Sequence, residues 1–389
     1  MKYDFDKVID RNGTAAVKLE EAKEVWGRAD LIPLWVADMD FATAPFVTEA
    51  IRKRCENEVL GYTGKPDSYY NAIINWVKQR YDLTVAKEMI NFVPGIVPGI
   101  GMAMNCFTRK GDKVMIQPPV YHPFAWITTR NERTLVTNPL KWENGMYRMD
   151  LDAFREQVKG CKLFILCNPH NPGGVVWTED ELRAIADICY DEKVLVFSDE
   201  IHADLTLPPH THRPFATVSE KARMNSVTFM SPSKAFNMPG LSASHALIFN
   251  EDLRKRFRIY MDAGELDMGH VFAFLSVEAA YSHGTEWLDQ CLAYIQGNID
   301  FVDEFLKNHT PKIKAIRPEA SYLVWLDCRE LGLSQKDLND FFVDKAHLAL
   351  NDGEMFGKEG VGFMRLNVAS PRCIIEKAMK QLADAYQLI

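Results

Sequence analysis

The sequence predicts an α/β fold in two unequal parts: a large parallel or mixed sheet joined by crossover helices, then a smaller α+β domain. Three observations lead there. Short apolar runs alternate with amphipathic stretches through the middle of the chain. The 389 residues exceed the length at which one hydrophobic core usually stops growing. Beyond about residue 285 the rhythm changes to long helical stretches separated by isolated strands.

Taken in order, the strand candidates are Lys113–Gln117, Leu163–Asn168, Val194–Ser198, Val227–Ser231 and Ala246–Phe249. Between the second and third, Thr178-Glu-Asp-Glu181 has the spacing of a capping box and predicts a helix running to about Asp191, which completes a β-α-β unit. A helix is expected around Gly99–Phe107, after the Gly95 loop. In the last part come a helix near Glu286–Lys307, a strand near Tyr322–Asp327, a helix near Gln335–His347 and a closing helix from about Cys373. No repeat or Pro/Gly/Ser linker marks a join. The expected division is 1–45 as an N-terminal segment packing with the small domain, 46–285 as the large domain and 286–389 as the small C-terminal domain.

Composition narrows the function. Hydrophobic residues at 47% and charged residues at 25% describe an ordinary folded chain rather than a disordered one. A net charge of −8 gives no basic footprint for nucleic acid or an anionic membrane surface. The eight cysteines form no C-x-x-C pair and lie mostly in apolar runs, so they read as buried thiols in a reducing compartment. The N-terminus lacks the basic and apolar regions of a secretory signal, and no apolar stretch has membrane-spanning length. A cytoplasmic protein is expected.

Chemistry-bearing residues gather at the ends of successive strands, where ligands bind in α/β sheets. The second strand runs into Asn168-Pro-His-Asn-Pro-Gly-Gly174, the third into Ser198-Asp-Glu-Ile-His202 and the fourth into Ser231-Pro-Ser-Lys234; an earlier loop reads Pro94-Gly-Ile-Val-Pro-Gly99. An isolated lysine is ordinarily a solvated surface residue. Lys234, however, follows two serines and a proline in apolar surroundings, where a desolvated amine becomes nucleophilic. Asp199 ends a very apolar run, so its carboxylate needs either a capping role or a cation, and a pyridinium nitrogen suits the position. The Gly95 loop opens a helix whose first amides can cradle a phosphate. The spacing of His202, His210 and His212 suggests a metal, but the last two stand in a Pro-rich loop and no metal site is expected.

Gly-Tyr-Thr (61–63), Gln-Pro-Pro-Val-Tyr-His-Pro-Phe (117–124), Cys-Asn-Pro-His-Asn-Pro-Gly-Gly (167–174), Ser-Asp-Glu-Ile-His-Ala-Asp (198–204), Ser-Pro-Ser-Lys (231–234) and Phe-Met-Arg-Leu-Asn (363–367) match a family in order and spacing. Over essentially the whole chain they resemble the fold-type I pyridoxal-phosphate (PLP) enzymes of the class I/II aminotransferase superfamily. Leu34-Trp-Val-Ala-Asp-Met-Asp-Phe41, His202 and the Asn-Pro-His-Asn-Pro-Gly-Gly stretch are similar to the MalY/PatB-type cystathionine β-lyases.

The resemblance implies a mostly parallel seven-stranded sheet flanked by helices in a PLP-binding large domain, and roles for single residues. Lys234 carries PLP as a Schiff base and moves the Cα proton, Asp199 pairs with the pyridine nitrogen, Asn171 bonds the ring oxygen and Tyr121 stacks on the ring. Aminotransferases of this family commonly carry a tyrosine three residues after the aspartate. Here it is His202, which leaves the second contact to the ring oxygen open. The amides of Ile96 and Val97 hold the phosphate with Ser231 and Ser233, and Arg365 takes the substrate carboxylate. A homodimer is implied, with Tyr62 crossing to the neighbouring site, where it reaches the cofactor phosphate and also touches substrate. Trp35, Tyr121, Phe124 and Trp126 are candidates for an apolar substrate wall, with core packing the plainer reading of Trp126. The implied activity is carbon–sulfur β-elimination from an S-substituted cysteine, giving pyruvate and ammonia. The same residues serve an aminotransferase, and a regulatory protein acting on a transcription factor is a reading from another class.

Overall fold

The computed structural model describes residues 2–388. The larger sheet contains β1 (Ile90–Val93), β2 (Lys113–Ile116), β3 (Thr134–Thr137), β4 (Cys161–Cys167), β5 (Leu195–Asp199), β6 (Ser226–Met230) and β7 (Ser244–Leu247). Their order across the sheet is β1-β7-β6-β5-β4-β2-β3. Only the connections of β7 are antiparallel, to β1 and β6, and the other pairs are parallel. The expected mostly parallel seven-stranded sheet is therefore present. Covered on both faces, it needs strands that are apolar throughout, and β4, Cys-Lys-Leu-Phe-Ile-Leu-Cys, is buried at every position but Lys162.

This topology makes one edge of the sheet chemical. The carboxyl ends of β1, β4, β5 and β6 point the same way, and antiparallel β7 starts at that edge with Ser244. The helix Glu179–Asp191 crosses from β4 to β5 and starts on the expected capping box. Thr178 Oγ1 accepts from the Glu181 N–H at 3.2 Å, and Glu181 Oε2 accepts from the Thr178 N–H at 2.9 Å.

A second sheet holds β8 (Lys314–Ile316), β9 (Leu323–Asp327), β10 (Asn351–Asp352) and β11 (Phe363–Asn367) in the antiparallel order β8-β9-β11-β10. The long helix Thr285–His309 and the closing helix Arg372–Tyr386 pack together beside it. The expected helix over 335–347 is α-helical only for Gln335–Asp340; Phe341–Lys345 forms a wider π turn, in which neighbouring Phe341 and Phe342 both bury.

Ile32–Pro33 of the N-terminal segment pairs in parallel with Leu348–Ala349, and Phe5 packs edge-on against Phe41 and Trp287. All eight cysteines are free thiols. Cys55 and Cys373 correct the expectation of burial, because they fall in the exposed terminal turns of helices Pro45–Cys55 and Arg372–Tyr386. Among the described residues no helix is long and apolar enough to cross a membrane.

Candidate active site

At the carboxyl edge of the larger sheet lies a cavity of about 210 Å³. Lys234, three residues into the turn after Ser231, projects into it partly buried, and its Nζ donates to the Ala37 carbonyl at 2.5 Å. Burial, followed by the Arg365 charge, lowers the Lys234 amine to a pKa of about 8. An appreciable fraction is therefore neutral near physiological pH and able to act as a nucleophile. The same Ala37 carbonyl accepts from the Tyr322 hydroxyl at 2.9 Å.

Asp199 closes β5 and lines the same cavity. Burial pushes its carboxyl up to about 7, against the opposing pull of the Ile201 N–H, which donates to Oδ1 at 3.1 Å. A carboxyl raised this far is short of positive charge, which a protonated ring nitrogen supplies. Beside it, Tyr121 sits edge-on to Phe124 at 5.7 Å, its phenol pushed up by burial and by Asp199.

The helix expected at 99–107 begins earlier, at Ile96, because Pro98 is tolerated in a first helical turn. Its N-cap is Gly95 at φ 133°, so no side chain occupies the first amides, those of Ile96 and Val97. Gly99 lets the helix close on β1: an added Cβ would stand 2.8 Å from Val93 Cγ2. These amides share the cavity with Ser233, Ser242 and Ser244. Uncapped amides, hydroxyls, a depressed lysine and an uncompensated carboxyl together fit PLP.

Behind Asn171, Arg365 on β11 is buried. Its Nη1 donates to Asn171 Oδ1 at 3.1 Å, and its Nη2 to Asn351 Oδ1 at 2.5 Å and the Trp35 carbonyl at 3.1 Å. Its Nε has no partner among the described residues, and burial lowers the guanidinium to about 10. A buried guanidinium with an unused donor is suited to a carboxylate ligand. His202 is buried with Nδ1 unpartnered among the described residues, and burial, with Lys234 and Arg365, pushes its pKa down to about 3. It is a neutral imidazole.

Of the residues singled out in the sequence, Lys234, Asp199, Asn171, Tyr121, His202, Ile96, Val97 and Ser233 line one cavity. Ser231 stands just behind, its hydroxyl donating to the Ala243 carbonyl at 2.7 Å and bridging to Ser233 Oγ at 2.9 Å. Tyr62 is 98% exposed, at a surface depression shared with Asp267 and His270.

Trp35 is a correction as wall and substrate contact: its indole turns away, donating to the Lys18 carbonyl at 2.9 Å and sitting edge-on to Trp26. Phe124 lies in the core behind Tyr121, and Trp126 is surface-exposed beside His122. His212 is engaged by Glu200 at 2.8 Å, while His210 faces Glu319 at 3.7 Å. Ala37, Cys167, Ser242 and Ser244 also line the cavity and were missed. Ala37 acts through a carbonyl, so it carries no side-chain signal.

The fold and this constellation define a PLP-dependent α/β enzyme. Residues 29–382 match the family described as aminotransferase class I and II. Cystathionine beta-lyase PatB of Bacillus subtilis is 38% identical, over 98% of this chain and 99% of its own. Protein MalY of Escherichia coli is 31% identical over the full length of both. The PLP-bound C-S lyase from Staphylococcus hominis superposes with a TM-score of 0.91 at 35% identity, covering 98% of each chain. The chain belongs to the class I and II aminotransferase family, on its MalY/PatB branch.

Proposed function

We propose that the protein is a PLP-dependent carbon–sulfur β-lyase that converts an S-substituted cysteine and water into a thiol, pyruvate and ammonium. The observation that carries this reading is the depressed Lys234 amine facing the same cavity as the uncompensated Asp199 carboxyl. The names of PatB and the C-S lyase, full-length relatives, support the β-lyase outcome over transamination.

When bound, PLP supplies an electron sink that permits the Cα–H and then the Cβ–S bond of the substrate to break. The protein's residues prepare for that. Lys234 Nζ, neutral in part near pH 8, takes the proton from Cα. The Asp199 carboxylate keeps the ring nitrogen protonated. With Oδ1 of Asn171 occupied by Arg365, its Nδ2 is the donor left for the ring oxygen. His202, uncharged, is the second polar group at that oxygen. Tyr121 stacks on the ring, Arg365 receives the α-carboxylate, and the Ile96 and Val97 amides hold the phosphate with Ser233 and, from behind it, Ser231.

The same proposal includes a cytoplasmic homodimer in which Tyr62, exposed between helices Pro45–Cys55 and Asp67–Tyr81, reaches the neighbouring site. Exposed Val59 and Leu60 beside it support burial against a partner. It also includes the division into an N-terminal segment 1–45, a PLP-binding domain 46–285 and a small domain 286–389, supported by the separate sheets.

The test is L-cystathionine with PLP-loaded protein and no keto acid, with pyruvate and free thiol assayed. Stoichiometric release of both is expected. Turnover that appears only when a keto acid is supplied would overturn the lyase reading in favour of transamination.

A further inference from the structure

Lys18 is fully buried far from any site residue in sequence. A buried ammonium needs compensating partners. Here Nζ donates to Asp40 Oδ1 and to the Asp38 carbonyl, each at 3.0 Å, and pairs with Asp38 Oδ1 at 2.9 Å. Arg11 pairs with the same carboxylates, at 2.6 Å to Asp38 Oδ2 and 2.9 Å to Asp40 Oδ1, and Ser370 Oγ donates to Asp40 Oδ2 at 2.6 Å. Two cations thus grip two carboxylates from one short strap.

The front of that strap is the active-site wall. Ala37, next to Asp38, offers the carbonyl that Lys234 Nζ and Tyr322 both bond. Asn237, three residues after Lys234, bonds the main chain of Met39 and Phe41, and Asn367, two after Arg365, donates to the Val36 and Asp38 carbonyls at 2.7 Å each. The strap therefore joins the Lys234 turn to the Arg365 strand, and its charged back keeps it in register.

We propose that Lys18 and Arg11 are positioning residues for the reaction: by clamping Asp38 and Asp40 they fix the Ala37 carbonyl that orients the Lys234 amine. This rests on the role given to Lys234 above. Reactions of this kind lose rate steeply, by as much as about 100-fold, when the reacting group is displaced by about an ångström. The clamp thereby controls turnover without touching substrate or cofactor.

The experiment compares Lys18→Met and Arg11→Gln holoenzymes with the parent for kcat, KM, thermal midpoint and the pH midpoint of the visible cofactor band. The titratable groups facing Lys234 are Asp38, Asp199, Arg365, Lys18 and His202, with the Tyr322 hydroxyl on the same Ala37 carbonyl and Tyr121 in the cavity wall. Losing a clamp cation leaves the Asp38 charge less balanced, so the band midpoint is expected to move upward. A fall in kcat of roughly tenfold or more is expected, with KM changing much less. A lower thermal midpoint with kcat and band midpoint both unchanged would overturn the proposal, since the clamp would then be structural only. If Lys18→Met does not fold, Arg11→Gln, whose side chain is 23% exposed, decides on the same criteria. Lys234→Ala run alongside separates the two readings: turnover surviving in that variant refutes the role of Lys234 itself.

Discussion

Arg365 Nη1 stands 3.1 Å from Asn171 Oδ1, so a guanidinium from the small sheet sets the orientation of an amide at the edge of the large one. The carbonyl side of Asn171 is consumed by this bond, and its NH2 group is what remains for a ligand. Under the roles proposed above, substrate-carboxylate recognition and the ring-oxygen contact are parts of one arrangement.

Arg365→Lys keeps the charge and removes the fork that reaches Asn171, Asn351 and the Trp35 carbonyl together. Losing such charge-assisted bonds costs about 1.5–3 kcal/mol each. We expect kcat/KM for L-cystathionine to fall about 100-fold, mostly through KM, in steady-state assays. An unchanged KM would place the carboxylate elsewhere.

The raised Asp199 carboxyl gives the apoprotein a distinctive pH response. Its folded pKa of about 7 lies above the ordinary 3.8, so between those values the folded chain binds a proton that the unfolded chain has lost. Stability from this group is full below about pH 4 and declines as pH rises toward 7. Apoprotein denaturation midpoints should therefore fall from pH 5 to 7 more steeply than those of Asp199→Asn. The same variant, loaded with PLP, should lose on the order of a thousandfold in kcat, about 4 kcal/mol of barrier. Parallel pH profiles for parent and variant would show that the carboxyl is not destabilised.

Gly99→Ala places a methyl group 2.8 Å from Val93 Cγ2, where the strand and helix meet. Overpacking of this kind costs about 1–3 kcal/mol. Because the displaced element carries the Ile96 and Val97 amides, PLP affinity should weaken along with stability. Fluorescence titration and urea denaturation measure the two. A stability loss with unchanged PLP affinity would detach those amides from the phosphate.

Thr178→Ala breaks the capping box at a residue that does not line the cavity. About 1 kcal/mol of stability should be lost in urea denaturation, with kcat and KM unaltered. A change in either constant would mean that the crossover helix transmits to the Asp199 strand.

The sequence was most readable where chemistry coincides with side-chain identity at a strand end. Lys234, Asp199 and Asn171 follow long apolar runs, so burial and polarity mark them together. The capping box placed helix Glu179–Asp191 to within a residue. Strands β1 and β3 carry weaker signals: β1 is interrupted by Asn91 and runs straight into the Pro94-Gly95 turn, and β3 is a half-exposed edge without clean alternation. The direction of β7 was also out of reach, since an apolar run has no preferred orientation until its neighbours are known. Trp35 shows the converse error, because indole chemistry suggested a wall whereas packing on Trp26 and the Lys18 carbonyl decides where the ring goes.

The Ala37 carbonyl contact has a consequence for engineering. An oxygen of the peptide bond is supplied by whatever residue occupies position 37, so side-chain replacement there leaves the acceptor for Lys234 and Tyr322 in place. Alanine scanning is blind to it, and sequence drift at this position erases no catalytic information. Position 37 also lines the cavity. It is thus a location where libraries can vary bulk and polarity toward different thioethers while the amine keeps its orientation.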